Sequence, residues 1–291
     1  MLAFIIAVKH PKRSRSYDRV TDLLRRTLAS VEAQTDKHFV TVIVCNQQPQ
    51  WATATKNRFF VEVDFPPAAP PSNVTEADSW SFADKGAKNA VGLLHARQFA
   101  PTHVMFVDAD DFVSRRLAEH VRRHSVAPGW YFETGLIYSG KFRIAEVREK
   151  FWSYCGTSHI LRYDLLPVPV DLGVAPTLDA VVQALGTFYV QRILGNHGDF
   201  GHYVAERGLE LAPLPIMGAV WHADTGENAS RLWWGWGHST FGPVWGKALT
   251  PEEAEEFSIP PTRRTIGDTV LLYGWRGRSV VARRVKRMLG R

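Results

Sequence analysis

The first 45 residues alternate apolar strands with an amphipathic helix, and this alternation constrains the fold more than any other feature. Residues 2–8 and 39–45 are continuous apolar runs, and each is followed by polar residues. Between them, apolar residues from Val20 to Val31 recur at helical spacing, with charged residues on the other faces. A buried strand, a helix and a second buried strand within so short a stretch predict a βαβ unit with parallel strands.

The same alternation continues to about residue 115 and then changes. The further elements that the pattern predicts are a strand over 59–63, a proline-rich surface loop or lid over 66–75, a helix over 84–99, a strand over 104–107, a helix over 114–124, strands over 130–140 and 157–163, and helices over 176–194 and 199–207. The later strands are joined by short loops, which favours antiparallel pairing. The expected fold class is therefore α/β: a single Rossmann-like domain with a mainly parallel central sheet and antiparallel additions in its C-terminal half.

Three carboxylates follow directly on the buried strand of residues 104–107: Asp108, Asp110 and Asp111. They would repel one another unless a cation lay between them, and the carboxyl edge of an open α/β sheet is where such folds bind ligands. A Mg²⁺ or Mn²⁺ ion carrying a phosphate meets both conditions. The alternative is a solvated Asp-rich turn before the next helix, for which Ser114 is a suitable N-cap.

The composition indicates the cellular compartment of the protein and the charge of its ligands. Two cysteines, Cys45 and Cys155, provide neither a disulfide framework nor a zinc-ligand spacing, which favours a reducing, cytoplasmic location. The apolar N-terminus lacks a basic leader and is expected to be the first strand, not a signal peptide. No window approaches the ~18 apolar residues of a membrane span. The net charge of +6 suggests an anionic ligand or surface.

Taken together, several segments resemble the nucleotide-sugar glycosyltransferases of the GT-A fold, especially the large inverting family 2 type. The resemblance is carried by residues 4–8, 27–35 and 88–93 and by Asp108-Ala109-Asp110-Asp111. It implies a metal-dependent enzyme that moves a sugar from a nucleoside diphosphate to a hydroxyl of a saccharide or glycolipid acceptor, as in polysaccharide biosynthesis. In the expected organisation, residues 1–115 bind the nucleotide sugar, residues 116–260 bind the acceptor within the same domain, and residues 261–291 form a basic tail.

The resemblance also implies roles for single residues. Asp108 and Asp110 would form the Asp-X-Asp metal site that bridges the diphosphate, with Asp111 as a neighbour. The donor-binding candidates are Ala7, Lys9, His10, Asn46, Lys88, Asp108 and Ala109. The chain departs from the family at the ends of its first two strands, so the donor base stays open.

Two further anchors lie in the C-terminal half. Asp199 follows His197 at the start of a predicted helix and is the expected general base, the alternative being an N-cap. Asp179 and Asp224 are the fallback candidates for that base. His222 ends an apolar run where some members of the family supply a further metal ligand; otherwise it is a hydrogen-bonded core histidine.

Aromatic and basic residues near the C-terminus suggest the acceptor and its location. Trp233, Trp234 and Trp236 are expected to form an acceptor wall, because indole rings stack on the C–H faces of sugars, although tryptophan is also an ordinary core residue. The basic residues between 276 and 291 carry a narrow apolar edge and predict a helix on the inner face of a membrane, the alternative being a solvated tail.

The expected partners are a nucleoside diphosphate sugar and a saccharide or lipid-linked acceptor, with no nucleic acid, because three acids repel a phosphate backbone. Two rival functions remain. A sugar-phosphate nucleotidyltransferase normally has a glycine-rich phosphate loop after its first strand, and residues 9–13 contain no glycine. The other rival is a non-catalytic carbohydrate-binding or nucleic-acid-binding protein.

Overall fold

The computed structural model describes residues 1–67, 74–173, 176–228 and 246–260, with only the helical backbone described for residues 74–80. The predicted acceptor tryptophans Trp233, Trp234 and Trp236 and the basic tail of residues 261–291 lie outside the described residues. Among the helices of the described part of the chain, none combines the length and apolar content that a membrane span requires.

The strands are β1 (Leu2–Ala7), β2 (Phe39–Cys45), β3 (Arg58–Glu62), β4 (His103–Asp108), β5 (Phe112–Val113), β6 (Gly129–Tyr131), β7 (Thr134–Ser139), β8 (Ile144–Glu149), β9 (His159–Arg162), β10 (Ala212–Pro213) and β11 (Ala219–His222). The α-helices are α1 (Tyr17–Glu32), α2 (Val74–Ala96), α3 (Leu117–Arg123), α4 (Leu178–Leu185), α5 (Phe200–Ala205) and α6 (Pro251–Glu256).

The central sheet confirms the predicted fold class. Its seven strands lie in the order β10-β6-β9-β4-β1-β2-β3. Strands β1 to β4 are mutually parallel, whereas β9 runs antiparallel to both β4 and β6. Because β1 lies between β2 and β4, the polar residues that follow β1 and β4 meet at one edge of the sheet. The sheet is therefore mainly parallel with antiparallel additions, as the sequence predicts.

The parallel strands are continuous apolar runs because both faces of the sheet are covered. Strand β2 is buried at every position. One face packs against α1, whose stripe of buried residues includes Val20, Leu24 and Leu28, and the other face packs against α2. Helix α1 begins where predicted, with the Ser16 side chain accepting from the backbone N–H of Arg19. Burial on both faces removes the alternation of polar and apolar residues that a half-exposed strand would show.

A second sheet divides one predicted strand into two. Its order is β5-β11-β7-β8, with β7 parallel to β11 and antiparallel to β8. The strand predicted over residues 130–140 is wrong as a single element, because β6 joins the central sheet and β7 joins the second sheet. Phe132, between them, is fully buried, and a side chain at Gly135 would meet the Phe151 ring at 2.4 Å. Strand β8 is an element that the sequence analysis did not predict.

Three predicted helix boundaries are also corrected. Helix α2 begins at Val74, ten residues before the predicted start, so the predicted proline-rich loop ends earlier. Ser114 does not cap α3: the cap position is Arg116, and the Ser114 hydroxyl donates to Glu256. The helix predicted over residues 176–194 is interrupted at Gly186, which has a φ of +86°, and α4 is followed by a π-helical turn at Tyr189–Leu194.

Helix α2 lies unusually close to the π-helical turn. A Cβ on Gly86 would stand 1.8 Å from the carbonyl oxygen of Val190, and a Cβ on Gly195 would stand 2.1 Å from that of Phe82. The Asn89 amide donates to the carbonyl oxygen of Leu194 at 2.7 Å. These contacts fix the segment after the π-helical turn beside the carboxyl edge of the central sheet.

Candidate active site

A cavity of about 610 Å³ lies at the carboxyl ends of β1 and β4. Its walls come from the residues after those two strands, from α2, and from the segments 153–156, 192–199 and 227–228. The register of the two strands pairs Ala7 with Asp108, which brings the two strand ends side by side. Of the predicted site residues, those that line this cavity are Ala7, Lys9, Asp108, Ala109, Asp110 and Asp199.

Asp108 and Asp110 present carboxylates to the cavity, and each is held by different partners. Asp108 forms an ion pair with Lys85 on α2, and its backbone N–H donates to the Thr157 hydroxyl at 2.9 Å. Asp110 Oδ2 accepts from Thr225 Oγ1 at 2.9 Å and from Asn228 Nδ2 at 3.0 Å. Burial, together with the negative charge of Asp108, raises the pKa of Asp110 to about 6.

Asp111 has a structural position behind this pair. Its side chain is 1% exposed and accepts from Thr157 Oγ1 at 2.7 Å, from Cys155 Sγ at 3.2 Å and from the backbone N–H of His222 at 3.1 Å. Burial, reinforced by the charges of Asp110 and Asp108, raises the pKa of Asp111 well above its ordinary value. The third acid therefore joins β4 to β11 and to the segment before β9.

Lys85 and Lys88 lie about one turn apart on α2, and their side chains have different surroundings. Lys88, a predicted donor-binding residue, does not line the cavity: it is fully buried and donates to Val8 O and Asp84 Oδ2, both at 2.8 Å. Lys85 lines the cavity and is 32% exposed. Burial is the largest single effect on Lys85 and lowers its pKa, but the charge of Asp108, its hydrogen bond to the ammonium and the charge of Asp111 act together in the other direction, so the net effect raises the pKa of Lys85.

Asp199 faces the cavity from the start of α5. It stands at the N-cap position, yet its side chain makes no capping hydrogen bond; instead Oδ2 accepts from Arg192 Nε at 2.8 Å. The next residue, Phe200, is buried and packs against the rings of Phe106 in β4 and His159 in β9. The buried Phe200 side chain thus holds Asp199 at the cavity. Asp199 occupies the N-cap position, but its side chain does not make the capping hydrogen bond that the N-cap alternative requires.

His197 and Glu227 are two further polar residues of the cavity wall. Burial, assisted by the charge of Lys85, lowers the pKa of His197 to about 4, so its ring is neutral near neutral pH. Glu227 accepts from Lys9 Nζ at 2.9 Å and from the backbone N–H groups of Arg15 and Ser16. It therefore ties the loop after β1 to the segment that supports Asp110.

Several other predicted residues lie outside the cavity wall. His10 Nδ1 accepts from the backbone N–H of Lys12, and Asn46 donates to the carbonyl oxygens of Val63 and Phe65. His222 is 2% exposed and packs its ring between Phe112 and Tyr138. Its predicted metal role stays a prediction, and burial lowers its pKa to about 4.

The two fallback candidates for the base also lie elsewhere. Asp179 is in the first turn of α4. Asp224 accepts from Ser139 Oγ and from the backbone N–H of Gly140, so it braces the turn after β7.

The residues that sequence reasoning missed are mostly partners of predicted ones. Lys85, Thr157, Arg192, Thr225, Glu227 and Asn228 all contact a predicted site residue. The family resemblance pointed to Lys88, and the helical pattern of α2 gave no signal for Lys85. Thr225 and Asn228 fall within the segment that resembles the family's histidine-bearing region, which was the available signal for them.

The described residues contain no group of three or more His, Cys, Asp or Glu side chains arranged to hold a metal ion. Mg²⁺ and Mn²⁺, however, usually bind through one or two carboxylates and complete their coordination with substrate phosphates and water. Asp108 Oδ2 and Asp110 Oδ1 take no part in the hydrogen bonds described above. Burial, and after it the charge of Asp108, raises the pKa of Asp110, and a bound cation would favour the ionised carboxylate against both effects. The donor set therefore fits a divalent ion that arrives with a diphosphate.

No family model matches the sequence, and no curated protein matches it. Solved structures similar to it include S. aureus TarS 1-349, at 12% identity and a TM-score of 0.37, over 76% of this chain and 60% of that one. The same TarS fragment in complex with UDP-GlcNAc matches at 11% identity and a TM-score of 0.35, over 76% and 58%. A 4-diphosphocytidyl-2C-methyl-D-erythritol synthase matches at 13% identity and a TM-score of 0.32, over 78% and 90%. The chain covers less than two thirds of either TarS structure.

Proposed function

We propose that this protein is a metal-dependent, inverting glycosyltransferase that moves a sugar from a nucleoside diphosphate to a hydroxyl of a saccharide or lipid-linked acceptor. The observation that carries the proposal is one cavity with two kinds of acid. Asp108 and Asp110 lie together at the end of β4, whereas Asp199 lies at the N-cap position of α5. A crowded acid pair suits a cation and its phosphate, and a separate carboxylate suits proton transfer.

The acid pair provides the donor end of the reaction. Asp108 and Asp110 would hold Mn²⁺ or Mg²⁺, which would stabilise the charge that develops on the leaving diphosphate. Thr225 and Asn228 orient Asp110 through Oδ2, so the carboxylate has a fixed direction before the donor binds. Fixed orientation of this kind avoids reorganisation during the reaction.

Asp199 provides the acceptor end. Arg192 holds Oδ2, which leaves Oδ1 to accept the proton of the acceptor hydroxyl. The hydroxyl oxygen then forms a bond to the anomeric carbon as the bond from that carbon to the diphosphate oxygen breaks. Attack from the side opposite the leaving group inverts the configuration at that carbon.

The first experiment is an incubation with a panel of nucleoside diphosphate sugars, Mn²⁺ and candidate acceptors, followed by detection of the released nucleoside diphosphate. We expect release to require metal and to be absent in Asp110→Asn, because the variant lacks the negative charge that would hold the metal. The amide can keep an oxygen at the Oδ2 position, so the hydrogen bonds from Thr225 and Asn228 can remain. Asp164→Asn, which alters an exposed ion pair with Arg162, is the matched control and should stay active. Full turnover in excess EDTA with a verified donor would contradict metal dependence. Pyrophosphate release from a nucleoside triphosphate and a sugar phosphate would instead indicate a nucleotidyltransferase.

The acceptor side of the proposal includes the basic tail. Residues 276–291 contain seven Lys or Arg and no acid, which suits an anionic membrane surface and a lipid-linked acceptor at its inner face. Co-sedimentation with vesicles of anionic lipid, for the full chain and for a chain that ends at Tyr273, tests this. We expect only the full chain to sediment at low salt, and equal behaviour of the two chains would rule the membrane contact out.

A further inference from the structure

Three cationic side chains line the cavity within the described residues: Lys9, Lys85 and Arg192. Each has a carboxylate partner. Lys9 is bound by both the side chain and the backbone carbonyl of Glu227, and Arg192 is bound by Asp199. Lys85 differs from the others because its partner, Asp108, is a proposed metal ligand.

The position of Lys85 is built into the fold. Helix α2 is fixed by the close contact of Gly86 with the carbonyl of Val190, directly beside Lys85 in the chain. On the opposite side, Gly156 leaves open the space in front of the pair: a Cβ there would stand 2.7 Å from Asp108 Oδ2 and 3.0 Å from Lys85 Nζ. The ammonium is therefore held at the acid pair and is still 32% exposed to the cavity.

Lys85 binds Oδ1 of Asp108, and a divalent cation on Oδ2 would share the same carboxylate, so two positive charges would lie close together and repel each other strongly in a partly desolvated site. A metal on Asp108 therefore weakens the ion pair with Lys85, whose ammonium stays beside the cavity. A diphosphate carried by the same metal brings negative oxygens to that place, and an ammonium forms strong charge-assisted hydrogen bonds with them.

We propose that Lys85 is a diphosphate-binding residue of the donor site and that its ion pair with Asp108 is a resting arrangement that metal and donor replace together. The proposal rests on the proposed function, since it names a further donor-binding residue of the same site. It implies that metal and donor each strengthen the binding of the other. Metal alone weakens the Lys85–Asp108 pair without giving Lys85 a new partner, and the diphosphate alone has to compete with Asp108 for the ammonium.

The test uses the full chain and two separate binding measurements. Binding of Mn²⁺ alone is followed by electron paramagnetic resonance of the free ion. Binding of UDP, GDP, CDP, ADP and dTDP, which together cover the common donor bases, is followed by calorimetry at saturating Mn²⁺. The variants are Lys85→Met, which keeps the apolar stem without its charge, and Lys85→Arg, which keeps the charge. Lys56→Met, which removes an exposed lysine outside the cavity, is the control. Far-UV circular dichroism checks that each variant is folded.

We expect Lys85→Met to bind Mn²⁺ alone about tenfold more tightly and the nucleoside diphosphate about tenfold more weakly, since one competing and one attracting charge are removed. Lys85→Arg should stay close to the wild type in both measurements, and Lys56→Met should equal it. Unchanged Mn²⁺ affinity in Lys85→Met would overturn the resting pair, and unchanged nucleotide affinity would overturn the donor role. Equal loss of nucleotide binding in Lys85→Met and Lys85→Arg, with unchanged Mn²⁺ affinity, would make Lys85 structural and also overturn the proposal. A wild type that binds none of the nucleotides with Mn²⁺ would overturn the proposed function itself.

Discussion

At the scale of single residues, the segment before β9 organises the acids at the end of β4. Thr157 accepts from the backbone N–H of Asp108 and donates to Asp111, so one hydroxyl joins two of the three acids. Gly156, next to it, contributes by having no side chain. The polar contacts therefore fix the backbone around the acids, while the glycine leaves their front open to the cavity.

Gly156→Ala should abolish the proposed transfer activity without unfolding the protein. The new methyl group would collide with Asp108 Oδ2 and Lys85 Nζ, which are the ends of flexible side chains and can move aside at little cost to the fold. Displacing them should lower turnover by at least ~100-fold, the scale expected when groups that orient the reaction are misplaced. Turnover and thermal unfolding of the variant test this, with Gly201→Ala as a control because a Cβ there meets nothing within 4 Å. Normal turnover of Gly156→Ala would show that the position of the pair is unimportant.

Asp199→Asn should separate proton transfer from donor binding. The amide keeps an oxygen for Arg192 but cannot accept a proton, so turnover should fall by at least ~100-fold while donor affinity stays near the wild-type value. Asp179→Asn is the comparison, because Asp179 was one of the two fallback candidates for the base and does not line the cavity. Steady-state kinetics and donor binding are the measurements. A collapse of donor affinity in Asp199→Asn would make Asp199 a donor or structural residue.

Single residues also show how far the sequence predicts the site. Asp108, Asp110 and Asp199 were predicted from strand ends, helix starts and the family resemblance, and all three line one cavity. Lys88 was predicted because its position matches the family segment, and Lys85, about one helical turn earlier, was not predicted. The choice depends on the rotation of α2 about its axis, which is set by glycine contacts with a segment more than 100 residues away. Such a contact leaves no periodic signal in the local sequence.

At the scale of elements, the close approach of α2 to the π-helical turn holds the two halves of the site together. The helix carries Lys85, and the segment after the turn carries His197 and Asp199. Gly86 and Gly195 allow the two backbones to touch, and the Asn89 amide adds a hydrogen bond across the contact. The donor end and the acceptor end of the proposed reaction therefore depend on one interface between helical segments.

Gly86→Ala should destabilise the protein, in contrast to Gly156→Ala. Its methyl group would stand 1.8 Å from the carbonyl oxygen of Val190, and a backbone atom cannot move aside as a side chain can. We expect a loss of about 2 kcal/mol or more in the free energy of unfolding, the scale of overpacking in a tight interface. Gly201→Ala in α5 should change it by less than about 1 kcal/mol, and in the stabilising direction, because alanine favours helix. Denaturant unfolding of both variants gives the comparison, and equal stabilities would show that the contact is loose.

The sequence predicted the parallel elements better than the later ones, for a physical reason. Strands β1, β2 and β4 are buried on both faces, so their residues form continuous apolar runs that are visible without knowledge of their neighbours. Strands β6 and β7 are separated by only two residues in the chain, so they resemble one strand in the sequence, yet they belong to different sheets. The change of sheet at Phe132 is decided by what packs around that ring, which a local pattern does not record.

At the scale of the whole molecule, buried histidines and buried acids make stability depend on pH in opposite ways. Burial lowers the pKa of His103, and lowers the pKa of His120 to about 4 and that of His159 to about 3. The unfolded chain binds protons at these rings below about pH 6.5, whereas the folded protein does not, so they cost stability as the pH falls. Asp110, whose pKa is raised to about 6, has the opposite effect, because its folded form binds the proton more readily than the unfolded chain.

His159→Asn isolates one of these effects. His159 lies in β9, 5% exposed, with its ring against Phe200 and its Nδ1 atom 3.0 Å from the Ser158 hydroxyl. Burial, reinforced by the charge of His197, lowers its pKa to about 3, so the wild type should lose stability progressively as the pH falls from about 6.5 towards 3. Asparagine keeps a polar atom near Ser158 but cannot be protonated in this range, so the variant should lose less stability than the wild type between pH 7.5 and pH 4.

His38→Asn, on the surface, is the control and should follow the wild type. Denaturant unfolding at a series of pH values measures the difference, in which the contributions of the other titrating groups cancel. Parallel stability curves for wild type and His159→Asn would show that the buried ring takes up its proton in the folded protein as easily as in the unfolded chain.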